Sequence, residues 1–515
     1  GKVFWFNSSN LANYNFPEGV KVSKEGIVIL GVPIGNQAFQ RQFLNDLLKS
    51  HQKLLCKIPK LGDTQVALLL LRMCADSRVS YINRLIRPNS AAKQEFLNIH
   101  DNSIIKCLQD VLSVAELDEF CRGQISLPMK LGGLGLASSS LISEAAYAGS
   151  VLLTLEDVWQ RHRGRAYFKP DDIDELHQME WVRPAQESWG DIMGLEEESK
   201  RKPWPFDGEL MVVEKGQAYL TEIIHRTRRQ ELLDSGNFRQ QARIRSASGP
   251  GSAGFLYAIP SEPALTLNSM QMEGAVRLRL GLSPITVRVD PSLKCVCGGP
   301  TNVDHLMTCK RGDEVCNRHN SMVQAWTSLL KKSSARSTFS VERSLISLGV
   351  LSMDNCSKRV DIVESSSSSK TTFADVTISH ATPCNANNLE KYAASDGSAA
   401  ADAETRKVRI YGDAAKEVNA GFIPFVVQSY GRWGNRALSY SRERIKDFAN
   451  LMELDGQADR GLINKLQGYW WSSLSCCLQK GNVSIITRRY YKALEQKYGK
   501  QFRMRNFSIK QILNQ

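Results

Sequence analysis

Two aspartates that lie fourteen residues apart are the side chains of this sequence best placed to do chemistry. Asp361 belongs to the segment KRVDIV (358–363), and Asp375 belongs to the segment FADVTI (373–378). Both segments are rich in β-branched residues, and apolar and polar residues roughly alternate along them. This pattern predicts two short strands joined by the polar run SSSSSK. Because neighbouring strands lie about 5 Å apart, carboxylates on such strands can share one divalent cation.

A helix is predicted after the second strand, over AADAETRKVRIYGDAAKEV (400–418). Glu404, Lys407 and Tyr411 are spaced i, i+3 and i+7 and therefore lie along one face of that helix. Two carboxylates and a lysine indicate metal-assisted cleavage of a phosphodiester, in which Lys407 would lie near the charge that develops on the phosphate. The alternative is structural, since aspartates at strand ends and lysines on helices are often only solvated.

A second candidate metal site lies in KCVCGGPTNVDHLMTC (294–309). Its potential ligands are Cys295, Cys297, His305 and Cys309, with the spacing C-x-C-x7-H-x3-C. Soft thiolates with one imidazole suit tetrahedral Zn²⁺, and the two glycines after Cys297 permit the turn that brings the ligands together. The alternative is a set of buried thiols without a metal.

Further elements are predicted around the aspartates. A strand over FSVERSLI (339–346) contains Glu342, which could complete the Mg²⁺ site with Asp361 and Asp375. A helix over 314–332 contains His319, which could approach the phosphate, although a capping or core role is the alternative. The apolar segment GFIPFVVQSYG (421–431) predicts a final strand.

The composition is that of a globular protein with a polyanionic partner. The 515 residues carry a net charge of +13 with 42% hydrophobic residues, and no apolar run reaches the roughly 20 residues that a membrane span needs. Twelve scattered cysteines predict a reducing intracellular compartment rather than a disulfide framework.

From Arg460 onwards there are eleven Lys and Arg against one acid, with aromatic residues between them. This pattern suits phosphate contacts and base stacking, or else a helix that packs its aromatic residues on a core.

The arginines predicted to bind nucleic acid are Arg277 and Arg279, on a helix before the cysteines, and Arg488 and Arg489 in the basic tail. The order of the segments predicts an α+β multidomain protein with a mixed sheet. Six regions are expected: strands (1–36), a helical domain (37–151), a partly flexible linker (152–290), a zinc knuckle (291–313), an α/β domain (314–450) and basic aromatic helices (451–515). Within these, GIVILGVPIG (26–35) is predicted as one buried strand that enters a tight turn at Gly35. The Gly/Ser/Pro-rich segment FRQQARIRSASGPGSAG (238–254) is predicted as a flexible connection.

The order of the predicted elements and their charged residues resembles the PD-(D/E)XK nuclease core. It most resembles the restriction-like endonuclease of site-specific non-LTR retrotransposons. In that family the catalytic lysine has moved to the helix, as it would here, where Thr377 occupies the strand position and Lys407 the helix. The chain departs from the family at Val360, since a proline usually precedes the first aspartate.

Other segments resemble the same polyproteins. Residues 26–35 resemble the strand region after the polymerase centre, residues 37–151 the thumb of the reverse transcriptase, and residues 255–282 the linker helices before the zinc knuckle. The Tyr-x-Asp-Asp run of a polymerase is not found; the single Asp-Asp is Asp171–Asp172, in the wrong order relative to the thumb. No polymerase activity is therefore expected from this chain alone. Either the palm and fingers lie upstream of the first residue, or the chain is a degenerate copy.

The resemblance implies a nuclear protein that nicks target DNA, so that the freed 3′-hydroxyl primes copying of the element's RNA. It implies Mg²⁺ at Asp361 and Asp375, Zn²⁺ in the knuckle, and target DNA, element RNA and the upstream palm and fingers as partners, with no membrane. Lys407 would stabilise the transition state and Tyr411 would position the substrate. Two alternatives stay open: an inactive nucleic-acid-binding remnant, and a basic interaction scaffold.

Overall fold

The first half of the sequence has the apolar periodicity of helices, and the second half adds segments in which apolar and polar residues alternate. The computed structural model has the mixed α/β fold that this pattern predicts. It describes residues 4–5, 21–23, 25–162, 178–205, 215–285, 292–334, 337–352, 358–366, 370–453 and 458–499. The Asp171–Asp172 pair and the tail from residue 500 lie outside the described residues.

The strands are β1 (Phe4–Trp5), β2 (Lys21–Val22), β3 (Gly26–Ile29), β4 (Val32–Gly35), β5 (Ser337–Ser344), β6 (Arg359–Ser366), β7 (Thr372–Ser379) and β8 (Gly421–Gln428). The helices are α1 (Gln37–Leu55), α2 (Thr64–Leu70), α3 (Ser80–Leu85), α4 (Ala91–Val111), α5 (Glu119–Ser126), α6 (Ser143–His162), α7 (Arg183–Gly194), α8 (Gly216–Ser235), α9 (Phe238–Ala247), α10 (Gly254–Tyr257), α11 (Ser269–Leu280), α12 (Val303–Thr308), α13 (Glu314–Ser333), α14 (Ala386–Ala394), α15 (Ser398–Glu417), α16 (Asn435–Met452) and α17 (Arg460–Tyr498). Single helical turns lie at Ile58–Leu61, Leu71–Ala75, Asp76–Val79, Met129–Leu131, Glu198–Lys200 and Ile346–Leu348. No described helix combines the length and the apolar character that crossing a membrane requires.

The chain forms two compact units whose boundaries differ from the predicted division into six consecutive regions. The first unit contains residues 1–61, 70–110 and 136–231, and the second contains 62–69, 111–135 and 232–515. Part of the predicted helical domain therefore packs with the C-terminal unit, because residues 111–135 carry buried apolar side chains such as Leu127, which packs with Leu232, Leu233 and Ile244.

The first unit is mainly helical. Asn36 caps α1 by accepting the Phe39 N–H at 2.9 Å, and the apolar face of α1 buries Leu44 and Leu48 against Phe96 of α4. The prediction of one buried strand over 26–35 is wrong. β3 and β4 form an antiparallel hairpin whose turn, Leu30–Gly31, has positive φ at both residues, as a tight hairpin turn requires. Leu30 is 86% exposed at its tip.

The second unit is built on a mixed four-stranded sheet with the order β5-β6-β7-β8. The pairs β5–β6 and β6–β7 are antiparallel, and β7 and β8 are parallel, so α14 and α15 provide the crossover that a parallel pair needs. The predicted strands and helix of this region are confirmed as β5, β6, β7, α15 and β8.

Aromatic residues fill one core of the second unit. The ring of Trp326 on α13 stacks on Phe425 of β8, with centroids 4.3 Å apart, and meets Trp433 and Trp470 edge-on. A second cluster joins α15 to the strands through Val360, Val363, Phe373, Tyr411 and Ala414. The two clusters hold the sheet between α13, α16 and α17 on one side and α15 on the other.

The prediction of a flexible connection over 238–254 is also wrong, because Phe238–Ala247 form α9 and the residues after it are packed. Ser252 and Ala253 are buried, and a Cβ on Gly251 would lie 2.8 Å from the Trp471 ring. A Cβ on Gly254 would lie 2.3 Å from the Trp471 carbonyl oxygen. The glycines are therefore used for close packing on α17 rather than for freedom of the chain.

Candidate functional site

The two predicted aspartates lie on facing strands, at the point where the β6–β7 ladder stops. Its last pair is Ile362–Ala374, and the next residue on each strand is an aspartate, Asp361 on β6 and Asp375 on β7. The Val376 N–H donates to Asp361 Oδ2 at 2.7 Å, so a carboxylate continues the ladder across the strands. The side chains of Asp361 and Asp375 are 16% and 4% exposed, respectively.

Asp375 lies beside Lys407, one of the residues that the predicted helix was expected to bring to it. Lys407 Nζ lies 2.8 Å from Asp375 Oδ2, which also accepts the Thr377 hydroxyl at 3.0 Å. Burial raises the pKa of Asp375, and the charge of Asp361 adds to the rise, whereas Lys407 and Thr377 oppose it. A cation beside Asp375 therefore favours its ionised form.

Tyr411 lies one turn after Lys407 on α15. Its ring is 5.4 Å from Lys407 Nζ and 5.3 Å from the ring of Phe422. Burial, and then the carboxylate of Asp375 beside it, raise the pKa of the Tyr411 hydroxyl. The hydroxyl thus stays protonated and can donate a hydrogen bond.

His319 reaches the same point from α13. Its Nε2 lies 3.1 Å from Asp361 Oδ2 and 3.0 Å from the Val376 carbonyl oxygen. The hydrogen bond with Asp361 raises the pKa of His319 to about 9, against the opposing effect of burial. The charged ring therefore bridges two oxygens of the β6–β7 junction.

The other two candidate acids do not join this cluster. Glu342 is exposed on β5, with a φ of 51°, in the left-handed region that a non-glycine residue rarely adopts. Glu404 Oε1 accepts the Arg436 N–H at 3.0 Å and so caps the first turn of α16. Burial raises the pKa of Glu404. Helical spacing placed Glu404 near Lys407 on α15, but its side chain turns to α16.

The predicted zinc ligands come together. Within the part of the chain that the structure describes, the one group of three or more His, Cys, Asp or Glu side chains with ligand atoms all within 4.8 Å of one another is Cys295, Cys297, His305 and Cys309. Cys297 Sγ lies 3.1 Å from His305 Nε2, and Cys295 Sγ lies 3.9 Å from Cys309 Sγ. A tetrahedral zinc separates such ligand atoms by about 3.5–3.8 Å, so the four residues fit the ion.

Local backbone structure makes this cluster. Cys295 N–H donates to the Gly299 carbonyl at 2.8 Å, and Gly298, with a φ of 88°, turns the chain between them. A Cβ on Gly299 would lie 2.5 Å from His305 Cε1, so glycine is needed there. Asn302 accepts the His305 N–H at 2.9 Å and begins α12.

The electrostatics of the cluster differ from one residue to the next. The Gly299 N–H lowers the pKa of Cys297, whereas burial raises the pKa of Cys295 to about 11. Burial, together with the charge of Arg489, lowers the pKa of His305 and keeps its ring neutral, as a ligand must be.

A buried polar network that sequence reasoning missed joins α12 to the end of β7. Asp304 Oδ1 accepts the Thr382 hydroxyl at 2.6 Å and lies 3.0 Å from His380 Nε2, and its second oxygen pairs with Arg239. Burial lowers the pKa of His380 to about 3, so its ring is neutral. No local sequence signal links Asp304 with residues about 76 positions later.

Glu364 is a second missed residue. It lies on β6, with its side chain 4% exposed, and pairs with Arg444 at 3.1 Å while accepting hydrogen bonds from Ser337 and Tyr440. Every partner lies on another element, so the alternation of KRVDIVE could place Glu364 on a face of the strand without identifying its role.

Three of the four predicted nucleic-acid-binding arginines are buried. Arg277 donates to the carbonyls of Leu112 and Ser113. Arg279 donates to Gly133 and Met129, and burial lowers its pKa to about 9. Arg489 donates to Leu306 and Arg311 and pairs with Glu314. Their guanidinium groups satisfy carbonyls inside the protein and are not offered to a ligand, and Arg488 alone of the four is exposed.

The aromatic residues of the basic tail are likewise partly buried and partly exposed. Trp470, Trp471 and Tyr490 are at least 92% buried, and Tyr498 is exposed. The packing interpretation of these aromatic residues therefore holds for α17, since their side chains form its inner face.

The chain matches no protein-family model and no curated protein.

Proposed function

We propose that this chain is a C-terminal portion of a non-LTR retrotransposon polyprotein and that its second unit is a Mg²⁺-dependent DNA endonuclease. The observation that carries the proposal is that Asp361 and Asp375 follow the last β6–β7 pair on facing strands and that Lys407 lies 2.8 Å from Asp375. These residues come from two strands and a helix, and a raised pKa such as that of Asp375 is typical of functional sites.

The donor set at this point fits Mg²⁺. The ion prefers oxygen ligands and binds through one or two carboxylates, with waters and substrate phosphate oxygens completing the octahedron. Asp361 and Asp375 would hold it, and a divalent cation would oppose the rise that the charge of Asp361 produces in the pKa of Asp375. Bound there, Mg²⁺ would polarise the phosphate and lower the pKa of the attacking water.

The protein's own residues would position the substrate and stabilise charge. The Lys407 ammonium would face the oxygens of the phosphate as charge develops on them. The protonated Tyr411 hydroxyl would donate to a phosphate oxygen and orient it. Water would attack phosphorus and the 3′-oxygen would leave, so that the nick carries the 3′-hydroxyl needed to prime reverse transcription of the element's RNA.

The zinc cluster would brace this unit. Asp304, the neighbour of His305, bonds His380 and Thr382 just after β7, and Arg489 of α17 holds the carbonyl of Leu306. Zinc at Cys295, Cys297, His305 and Cys309 would therefore fix α12 against the strand that carries Asp375.

One observation favours the runner-up, an inactive nucleic-acid-binding remnant. The charged His319 ring lies 3.0–3.1 Å from two oxygens that a metal could use, the Val376 carbonyl and Asp361 Oδ2. A cationic side chain on those oxygens competes with Mg²⁺. Valine at position 360, where the family usually has proline, agrees with this alternative.

Nicking of a supercoiled plasmid by the zinc-loaded full chain tests the proposal. We expect Mg²⁺-dependent open circles from the native protein and none from Asp361→Asn or Asp375→Asn. Asp413→Asn is the matched control, because Asp413 is 89% exposed on α15 and the substitution removes the same charge. Absence of Mg²⁺-dependent nicking by the native protein, with DNA binding retained, would establish the remnant instead.

A further inference from the structure

Two adjoining cavities lie between α13 and α17, away from the aspartates. They measure about 290 and 250 Å³ and share Ser321, Lys480 and Gly481 in their walls. Together they reach the size of clefts that hold small organic groups. Helix α13 thus presents His319 to Asp361 and Ser321 to this cleft.

The two chambers differ in chemistry. The larger one is lined by the apolar side chains of Ala325 and Leu329 and by the ring of Tyr469. The smaller one is lined by polar and charged groups, among them Asn317, Arg318 and Arg488. One chamber therefore suits a flat apolar group and the other suits an anion, with the Lys480 ammonium between them.

Arg318 lines the smaller chamber, and one of its donor atoms is enclosed without a hydrogen-bond partner. The residue is 94% buried, and although Nη1 donates to Asn482 Oδ1 at 2.7 Å, Nε has no hydrogen-bond partner. Among the described residues no carboxylate lies within ion-pairing distance of Arg318. Burial lowers its pKa to about 10, so the group is still charged at neutral pH. A Cβ on Gly481 would lie 2.5 Å from Arg318 Cγ, so glycine is what lets α17 approach this side chain.

The acid in the wall of the chamber does not cancel this charge. Glu314 lines the smaller chamber, but its carboxylate already pairs with Arg489 at 3.5 Å and Lys492 at 2.5 Å. Arg488 is exposed, and Lys480 uses one of its three donors on the Pro263 carbonyl. The chamber therefore keeps an excess of positive charge.

We propose that this cleft binds one nucleotide unit of a single-stranded nucleic acid, with the base in the larger chamber and its phosphate over Arg318, Lys480 and Arg488. An arginine fork with hydroxyl and amide donors is the usual partner of phosphate oxygens, and an aromatic ring beside an apolar wall stacks a base. A single strand fits because the cleft lies between two packed helices, which a duplex cannot enter. The net charge of +13 favours a long polyanion over a free nucleotide.

The test compares Ser321→Glu with Gln324→Glu in the full chain. Both residues are exposed on α13, and Ser321 lines both chambers whereas Gln324 lines neither. Fluorescence anisotropy with labelled 15-nucleotide RNA and DNA single strands, without added divalent cation, should show about tenfold weaker binding for Ser321→Glu alone, since a carboxylate would face the phosphate. Thermal melting should be unchanged in both variants.

A second pair of variants measures the phosphate contact directly. Lys480→Gln should reduce the slope of log affinity against log salt by about 0.7, which is the value for one phosphate on a single strand. Lys465 is exposed on the same helix and lies outside the cleft, so Lys465→Gln should leave the slope unchanged. Equal losses for Ser321→Glu and Gln324→Glu would overturn the proposal. So would an equal loss of duplex binding, or competition by a mononucleotide as strong as that by the 15-mer. Loss confined to either the RNA or the DNA strand supports the proposal and identifies the sugar.

Discussion

The ammonium of Lys407 lies 2.8 Å from Asp375 Oδ2, although the two residues are separated by 32 positions and belong to a helix and a strand. Asp375 is nearly enclosed, with 4% of its side chain exposed, and its other neighbours include the like charge of Asp361. A cation stabilises a buried carboxylate in this setting. The pair joins α15 to β7 at the point where, under the proposed function, a scissile phosphate would lie.

Replacing Lys407 should remove cleavage while sparing DNA binding. Under the proposed function, Lys407→Gln should lower the nicking rate about 100-fold or more, because a donor to the developing charge is lost. Lys416→Gln, on the same helix and 80% exposed, should nick like the native protein. The measurement is single-turnover nicking at saturating protein, with affinity followed in parallel. Equal rates in the two variants would remove Lys407 from the mechanism.

Adding a single methyl group beside His305 should weaken the binding of zinc to the cluster. Gly299→Ala puts a Cβ 2.5 Å from His305 Cε1, so the ring must move, and zinc affinity should fall about tenfold or more. Gly468→Ala is the control, since a Cβ there meets nothing within 4 Å. Competition with a chromophoric chelator reports the affinity, and one zinc per native chain is expected. A native chain that retains no zinc after dialysis would contradict the metal site.

Adjacent arginines on α17 should behave in opposite ways. Arg489→Gln should lower the free energy of unfolding by about 3 kcal/mol, because the carbonyl of Leu306 and the carboxylate of Glu314 lose their buried partner. Arg488→Gln should leave stability nearly unchanged and weaken single-strand binding, because its side chain is exposed at the cleft. Urea unfolding and anisotropy measure the two quantities. If Arg489→Gln instead weakened binding at unchanged stability, its buried role would be refuted.

Acid should destabilise the helical unit through His51. Burial lowers the pKa of His51 to about 4, with smaller contributions from His100 and Arg78. Between pH 6.5 and 4 the unfolded chain therefore binds a proton that the folded chain does not, and stability falls as the pH falls through this range. The loss amounts to roughly 3 kcal/mol at most. His51→Leu should flatten the pH dependence of thermal unfolding over this range, and a native slope retained in that variant would assign the effect to other groups.

The sequence by itself determined the local elements of the candidate sites. Alternation of β-branched residues predicted β6 and β7 around Asp361 and Asp375, and helical spacing put Lys407 and Tyr411 on one face of α15. The zinc ligands could be identified because Cys295, Cys297, His305 and Cys309 lie within one turn and one short helix. In each case the physical reason is the same, since local geometry depends on residues close in the chain.

Only the tertiary structure decided which charged groups are available to bind a metal ion or a nucleic acid. Helical spacing put Glu404 beside Lys407, yet its carboxylate caps α16, and Arg277, Arg279 and Arg489 satisfy carbonyls brought from distant segments. The glycines at 251 and 254 look like a linker in the sequence because nothing nearby shows that Trp471 will pack on them. Burial is a property of what folds against a residue, and the partners of these residues lie far away in the chain.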